Sequence, residues 1–325
     1  MRHFDAKTVT EAISLLGEYK GDGKIIAGGV DMVTLIKNRV VTLNALVNIK
    51  TIPDLAYIRE QTEGLRIGIL TTVNEVERST MIRDRYPMLA EAAHSVAAPQ
   101  LRNMATVGGN LCQEVQCWYY RRSPVTGISY FCYRKGGKRC YAPAGENDYH
   151  AILNGDKCYA VCPSDLAPAL VALNATLRIA GPYGERLLPL EKFYTPLGNI
   201  LKPYEMLTEV QVPTPTPGTR QKFVKFRLRK TLDFAIVSVA AATTMESNVV
   251  TGASIVLGGI APTPYRAIGV EEMLRGKVIT ESVLEASASI VVSKGLPLRG
   301  NAYKIPITEA LVRRALQEIS PSCCV

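Results

Sequence analysis

Thr106-Val-Gly-Gly-Asn-Leu111 opens, and Cys162-Pro-Ser-Asp-Leu-Ala-Pro168 closes, the stretch around which the rest of the 325-residue chain is organised. Between them lie Cys112, Cys117, Cys132, Cys140 and Cys158, beside the only tryptophan, Trp118. With Cys162, six of the eight cysteines fall in one window. A globular core does not gather thiols in this way, and the window points to a soft, thiophilic group. In a reducing compartment, clustered cysteines indicate metal binding or catalysis rather than disulfides.

Thiolate preference leaves zinc and iron–sulfur open. Structural zinc sites usually carry Cys-x2–4-Cys knuckles, and Cys158 and Cys162, with three residues between them, are that close here. The separations Cys117–Cys132–Cys140–Cys158, of 15, 8 and 18 residues, match neither zinc knuckles nor the bacterial ferredoxin run. The spacing indicates a metal without choosing it. His150 is a possible extra ligand, while His3 and His94 are too remote in sequence to suggest a histidine triad.

Upstream, Thr8 and Glu11 fit a capping box ahead of a helix over 7–19. A strand over 24–27 runs into Gly28-Gly29-Val30-Asp31, and a helix over 31–38 follows with Asp31 as its expected cap. This is a strand–glycine turn–helix unit whose backbone amides can approach an anion. It lacks the Gly-x-Gly-x-x-Gly spacing of the Rossmann fingerprint. With Gly108-Gly109-Asn110 it suggests two amide-rich walls around a diphosphate. Strands are expected over 45–49 and 65–69, and helices over 72–79, 85–98 and 167–174. A hairpin turns at 181–184, and a strand over 209–212 ends at Pro213, Pro215, Pro217 and Gly218, the clearest domain boundary. Beyond it, strands over 222–229, 235–243 and 248–257 and helices over 280–293 and 307–319 form a small α+β domain. Cys323 and Cys324 at the tail receive no role.

The formal charge of +9 is spread along the chain and partly balanced by 29 carboxylates, with no nucleic-acid-binding motif to focus it, so nucleic acid is not an expected partner. No apolar run approaches the ~18–20 residues of a membrane span, and no apolar signal-peptide core follows Met1. A cytoplasmic protein without membrane insertion is expected.

Ala27-Gly-Gly-Val-Asp-Met32, Gln100-Leu-Arg-Asn103, Ala105-Thr-Val-Gly-Gly-Asn-Leu111, Ser164-Asp-Leu-Ala-Pro168 and Lys225-Phe-Arg-Leu-Arg229 with Asp233-Phe-Ala235 occur in this order. Together they resemble the FAD-binding subunit of the xanthine dehydrogenase/carbon monoxide dehydrogenase class of molybdenum hydroxylases. The implied fold is α+β. A two-part FAD-binding domain of the molybdopterin dehydrogenase flavoprotein (PCMH-like) type would span 1–215, and a C-terminal α+β domain with an antiparallel sheet 218–325. In ordinary members the second glycine loop and the Ser-Asp-x-x-Pro loop stand about ten residues apart, whereas here Asn110 and Asp165 are 55 apart. The insertion, about 112–162, is similar to that of the β subunit of 4-hydroxybenzoyl-CoA reductase, which binds a [4Fe–4S] cluster beside FAD.

The resemblance implies that Ala27, Gly28, Gly29, Val30 and Asp31 hold the FAD diphosphate, and that Thr106, Gly109 and Asn110 form the opposing wall. Asp165 would reach the ribityl or flavin region, and Lys225 would lie near the isoalloxazine. Cys117, Cys132, Cys140 and Cys158 would ligate the cluster, with Cys162 a competitor for the last position and Cys112 a packing thiol. Arg121, Arg122, Arg134, Lys135, Lys138 and Arg139 would offset its negative charge. No residue stands out as activating a substrate. The expected role is electron transfer between an external carrier such as ferredoxin and two partners, a molybdenum-containing large subunit and a [2Fe–2S] small subunit. The substrate would be an aromatic CoA thioester or another aromatic compound. The alternatives are an FAD subunit that uses NAD directly and carries a zinc-stapled loop, and a zinc-binding interaction module without redox chemistry.

Overall fold

Thr8 accepts the amide of Glu11 at 3.0 Å and starts the helix Val9–Glu18, while the Glu11 carboxylate reaches back to the Lys7 amide. Ala12, Ile13 and Leu16 bury its apolar stripe. The computed structural model describes residues 1–229 and 232–320. Cys323 and Cys324 lie outside them.

The first layer is a three-stranded parallel sheet with Ala45–Asn48 between Arg2–Asp5 and Gly23–Ile26. The second is a five-stranded antiparallel sheet in the order Ile58–Gln61, Gly64–Gly68, Met206–Pro213, Thr176–Gly181, Gly184–Pro189. Its central strand follows the cysteine window in sequence and pairs with strands from both sides of it, Val210 standing opposite Ile67 and Leu177. The window is therefore an excursion from one continuous domain, and both of its ends are fixed by the same core.

After Pro213 the chain enters a four-stranded antiparallel sheet, Thr219–Phe226, Val237–Glu246, Val249–Gly258 and Tyr265–Arg266. Helices Glu281–Val292 and Lys304–Ile319 complete its apolar core. Helix Leu166–Ala172 is buried along its whole length and joins the two parts. A Cβ on Gly258 of the C-terminal sheet would stand 2.9 Å from the Pro168 ring.

Three local expectations are corrected. The helix expected over 85–98 is the shorter Pro87–Ser95, and a separate helix, Thr80–Arg85, precedes it, because Tyr86 leaves helical geometry ahead of a proline that has no amide to donate. Asp31 precedes helix Met32–Lys37 without a side-chain capping bond, its carboxylate being engaged elsewhere. Arg2–Asp5, Ile58–Gln61 and Ile268–Leu274 form elements that hydrophobic periodicity did not reveal. Among the described residues no helix is long and apolar enough to cross a membrane.

Candidate functional site

The strand Gly23–Ile26 delivers Ala27–Asp31 to the C-terminal edge of the parallel sheet. Gly29 turns there with φ +74°, and a Cβ on Gly28 would lie 1.8 Å from the Met104 carbonyl oxygen. The first glycine loop thus lies directly against the segment that leads into the second. Among the described residues, the backbone N–H groups of Gly28, Gly29, Val30, Asp31 and Met32 donate to no group of the chain. Such a row of free donors at a helix start suits an anion.

The second loop is built differently. Thr106 caps helix Val107–Cys112 by accepting the Gly109 amide at 3.1 Å. The amides of Val107, Gly108 and Asn110 go to Thr71, Ile69 and Thr106 carbonyls. The expected pair of amide-rich walls is therefore corrected to one. The Thr106–Asn110 wall offers shape and side chains, its amides having been used to fix the turn. Asn110 is buried and accepts the Ser164 hydroxyl at 2.6 Å, which ties this loop to the Ser-Asp-x-x-Pro segment.

A cavity of about 610 Å³ lies between these loops and is lined by Ala27, Gly28, Gly29, Val30, Asp31, Thr106, Gly109, Asn110 and Asp165. Lys225 does not line it. Its ammonium donates to Asp165 at 2.6 Å and to the Ser95 carbonyl at 3.1 Å, and it borders a separate open groove of about 470 Å³. Burial pushes the Asp165 carboxyl up, and Lys225 opposes this. The buried Asp165–Lys225 pair stands between the two spaces and fixes a carboxylate in the cavity wall. Arg102 of the Gln-Leu-Arg-Asn segment is structural. It pairs with Glu77 at 2.7 Å and donates to the Val96 carbonyl at 2.9 Å. The cavity also draws on residues that sequence reasoning left out, Gln113, Glu114, Asn199, Leu201, Lys202 and Pro203, because they belong to loops without a glycine or spacing signal.

The cysteine window separates into two groups. Cys132 and Cys158 are buried in a small cluster with Leu35, Val115, Tyr120 and Ala160, and Cys117 packs against it. Cys140 is within electrostatic reach of Cys132 and Cys158, and Cys117 of Cys140 and Cys158. Cys112 and Cys162 belong instead to the main core, near Tyr194. The four thiols expected to act together are thus neighbours, and the two extra ones are apart. Burial pushes the Cys117 thiol up to about 12 and raises that of Cys140. As the side chains stand, no group of three or more His, Cys, Asp or Glu among the described residues could hold a metal ion.

His150 comes within 3.3 Å of the Cys117 sulfur through Nε2. Trp118, Tyr119, Tyr149 and His150 pack edge to face around this point, Trp118 and His150 having centroids 5.4 Å apart. Among the described residues, Trp118 Nε1 and Arg134 Nε are buried without a partner. Buried donors that go unsatisfied are costly and point to an acceptor supplied from outside. Of the basic residues in the window, Lys135 lies over the Tyr120 ring and near Cys132 and Cys117. Arg139 lies over the Tyr141 ring at 4.5 Å. Arg121 turns the other way and lines the cavity.

Comparison with known proteins supports the resemblance at the level of the family. Residues 1–215 match the family described as FAD binding domain in molybdopterin dehydrogenase, and residues 222–319 match the CO dehydrogenase flavoprotein C-terminal domain. The carbon monoxide dehydrogenase medium chain of Hydrogenophaga pseudoflava is 30% identical over 325 residues, covering 98% of this chain and 96% of that one. The aldehyde oxidoreductase FAD-binding subunit PaoB of Escherichia coli is 30% identical over 306 residues, covering 91% of each. A solved structure of carbon monoxide dehydrogenase from Hydrogenophaga pseudoflava superimposes with a TM-score of 0.80 at 28% identity, covering 100% of this chain and 98% of that one. The chain belongs to the FAD-binding medium subunits of the carbon monoxide/xanthine dehydrogenase family of molybdenum hydroxylases. It is an oxidoreductase subunit whose cofactor is FAD.

Proposed function

We propose that this chain carries a [4Fe–4S] cluster beside its FAD and serves as the electron-transfer subunit of a heterotrimer, with a molybdenum-containing large subunit and a [2Fe–2S] small subunit. The observation that carries the reading is the grouping of buried Cys132 and Cys158 with half-buried Cys117 and Cys140, with Cys112 and Cys162 left outside it. The unpartnered indole N–H of Trp118, the residue next to Cys117, supports it, since sulfide and thiolate accept hydrogen bonds and such bonds tune cluster potentials. A cluster ligated at its corners also needs thiolates spread around its edge rather than converging on one point.

FAD exchanges two electrons with one partner and passes them singly to iron–sulfur centres. The chain's own part is to bind and insulate. The free amides of Gly28 to Met32 would take the diphosphate, and Thr106, Gly109 and Asn110 would form the opposite wall. The fixed carboxylate of Asp165, held by Lys225, would face the ribityl or flavin end. The aromatic rings of Trp118, Tyr119, Tyr149 and His150 pack against one another beside Cys117. The complex is read as similar to 4-hydroxybenzoyl-CoA reductase, acting on an aromatic substrate held by the large subunit and exchanging electrons with ferredoxin or another carrier. The long cysteine-bearing excursion supports this reading.

Anaerobic purification followed by iron, sulfide, zinc and FAD analysis of one sample tests the proposal. About four irons, four sulfides and one FAD per chain are expected. One zinc without sulfide would replace the cluster by a zinc-stapled loop and leave a flavoprotein that uses NAD directly. Replacing Cys132 by Ser should abolish the iron signal, whereas replacing Cys162 by Ser should keep it.

A further inference from the structure

The anion-binding loop contains a carboxylate that works against its task. Asp31 sits among the free amides of Gly28 to Met32, where a diphosphate would be held, and it does not cap the helix that follows. A bare carboxylate there would repel the phosphate it is meant to receive. Both of its oxygens are engaged by the cysteine window. Arg121 Nη2 approaches Asp31 Oδ1 at 2.6 Å, and the Glu114 amide donates to Oδ2 at 2.9 Å. Arg121 is itself braced, donating through Nε to the Val115 carbonyl and through Nη2 to that of Glu114, each at 2.9 Å. Its Nη1 donates to no group of the chain among the described residues, and the side chain lines the cavity.

We propose that Arg121 is a flavin-site residue supplied by the cysteine window, which cancels the charge of Asp31 and offers a donor to the nucleotide diphosphate. This rests on the placement of the FAD diphosphate at Ala27–Asp31. Arg121 ends the short helix Trp118–Arg121, which begins immediately after Cys117. The residue that neutralises the nucleotide loop is therefore positioned by the backbone that carries the first thiol of the cysteine site. The window has a second task beyond its thiols, that of completing the nucleotide pocket. Arg is suited to this because its planar fork can hold Asp31 and the backbone carbonyls at once while keeping one edge free. Lysine has a single point of charge and could not do all three.

The test is FAD affinity, measured on the full chain after FAD has been stripped and returned, for wild type, R121Q, R121K, D31N and the double variant D31N/R121Q. R121Q is expected to weaken FAD by about tenfold or more, which is the effect of ~1.4 kcal/mol. R121K should recover only part of the loss. D31N should bind at least as well as wild type, and the double variant should bind more tightly than R121Q, because the charge that Arg121 cancels is gone, yet less tightly than D31N, because the donor to the diphosphate is lost. Far-UV circular dichroism and thermal unfolding of each variant show whether the chain is still folded. Wild-type affinity in R121Q would overturn the proposal. A double variant as weak as R121Q would also overturn it, since Arg121 would then act by holding the loop rather than by compensating charge. If wild type takes up no FAD at all, the placement of the diphosphate fails first and the proposal falls with it; normal uptake with an unresponsive R121Q confines the failure to Arg121.

Discussion

At the scale of single residues, Gly28 and Gly109 look equivalent in sequence, each within a Gly-Gly pair, but the fold separates them. A Cβ at Gly28 would meet a backbone oxygen at 1.8 Å, whereas at Gly109 it would meet only the Thr106 hydroxyl, at 3.1 Å. Backbone cannot swing aside as a side chain can. G28A is expected to cost ~3 kcal/mol and to lose FAD, and G109A much less, as denaturant unfolding and bound flavin would show. Lys304 gives a second residue-scale prediction. It is fully buried and donates to the Tyr149 and Gly259 carbonyls, and burial holds its ammonium down at about 7. A lysine depressed in the folded state binds fewer protons there than in the unfolded chain, so stability should rise with pH between about 7 and 10. The slope approaches ~1.4 kcal/mol per pH unit at most. Comparing unfolding of wild type and K304M across that range isolates it, and equal slopes in the two would refute the assignment.

At the scale of elements, the structure turns on the segment 147–153. Asn301 is fully buried and donates to the His150 and Ala151 carbonyls at 3.0 and 3.1 Å, while accepting the Leu298 amide at 2.7 Å. Lys304 holds Tyr149, and the Gly300 amide is held by Asn147. N301A leaves buried carbonyls unpaired and is expected to cost about 2–3 kcal/mol. Hydrogen exchange should show faster opening of 147–153 in that variant, and unchanged protection there would sink the idea. Little of this was readable from sequence, because Asn301 and Lys304 lie about 150 residues from their partners and no local pattern marks them. What was readable had local causes. Thr8 with Glu11 forms its cap, the helix expected over 72–79 is present as Val73–Arg78, and the hairpin turns at Gly181–Gly184. The glycine loops were found because strand, turn and helix leave a spacing signature. The direction of Asp31 was misread for the same reason, since its real partner, Arg121, is remote in sequence and reaches it only through the fold.

At the scale of the whole molecule, the cysteine window belongs to neither domain alone. Its start is joined to the nucleotide loop through Asp31, and its end is built into the C-terminal unit. The amides of Ile152 and Leu153 donate to the Ile260 carbonyl, Leu296 donates to Ile152, and Cys162 donates to Ala261. Ile152 and Leu153 are counted in the apolar core of the C-terminal sheet and helices rather than in that of the nucleotide domain. Helix Leu166–Ala172, immediately after the window, packs against the same sheet. A boundary drawn at the prolines near 215 therefore divides the sequence cleanly while the fold crosses it at several points. Independent melting of the two units would require these buried contacts to break first, exposing Ile152, Leu153 and the paired carbonyls to water. The expected outcome is one cooperative thermal transition for the full chain, with calorimetric and van't Hoff enthalpies in agreement. Loss of the cysteine site, followed by proteolysis within 147–162, should coincide with it. If calorimetry instead resolves an earlier transition of residues 222–319 while that segment remains resistant to protease, the cysteine site is held by the nucleotide domain alone, and the C-terminal unit is a cover rather than a support.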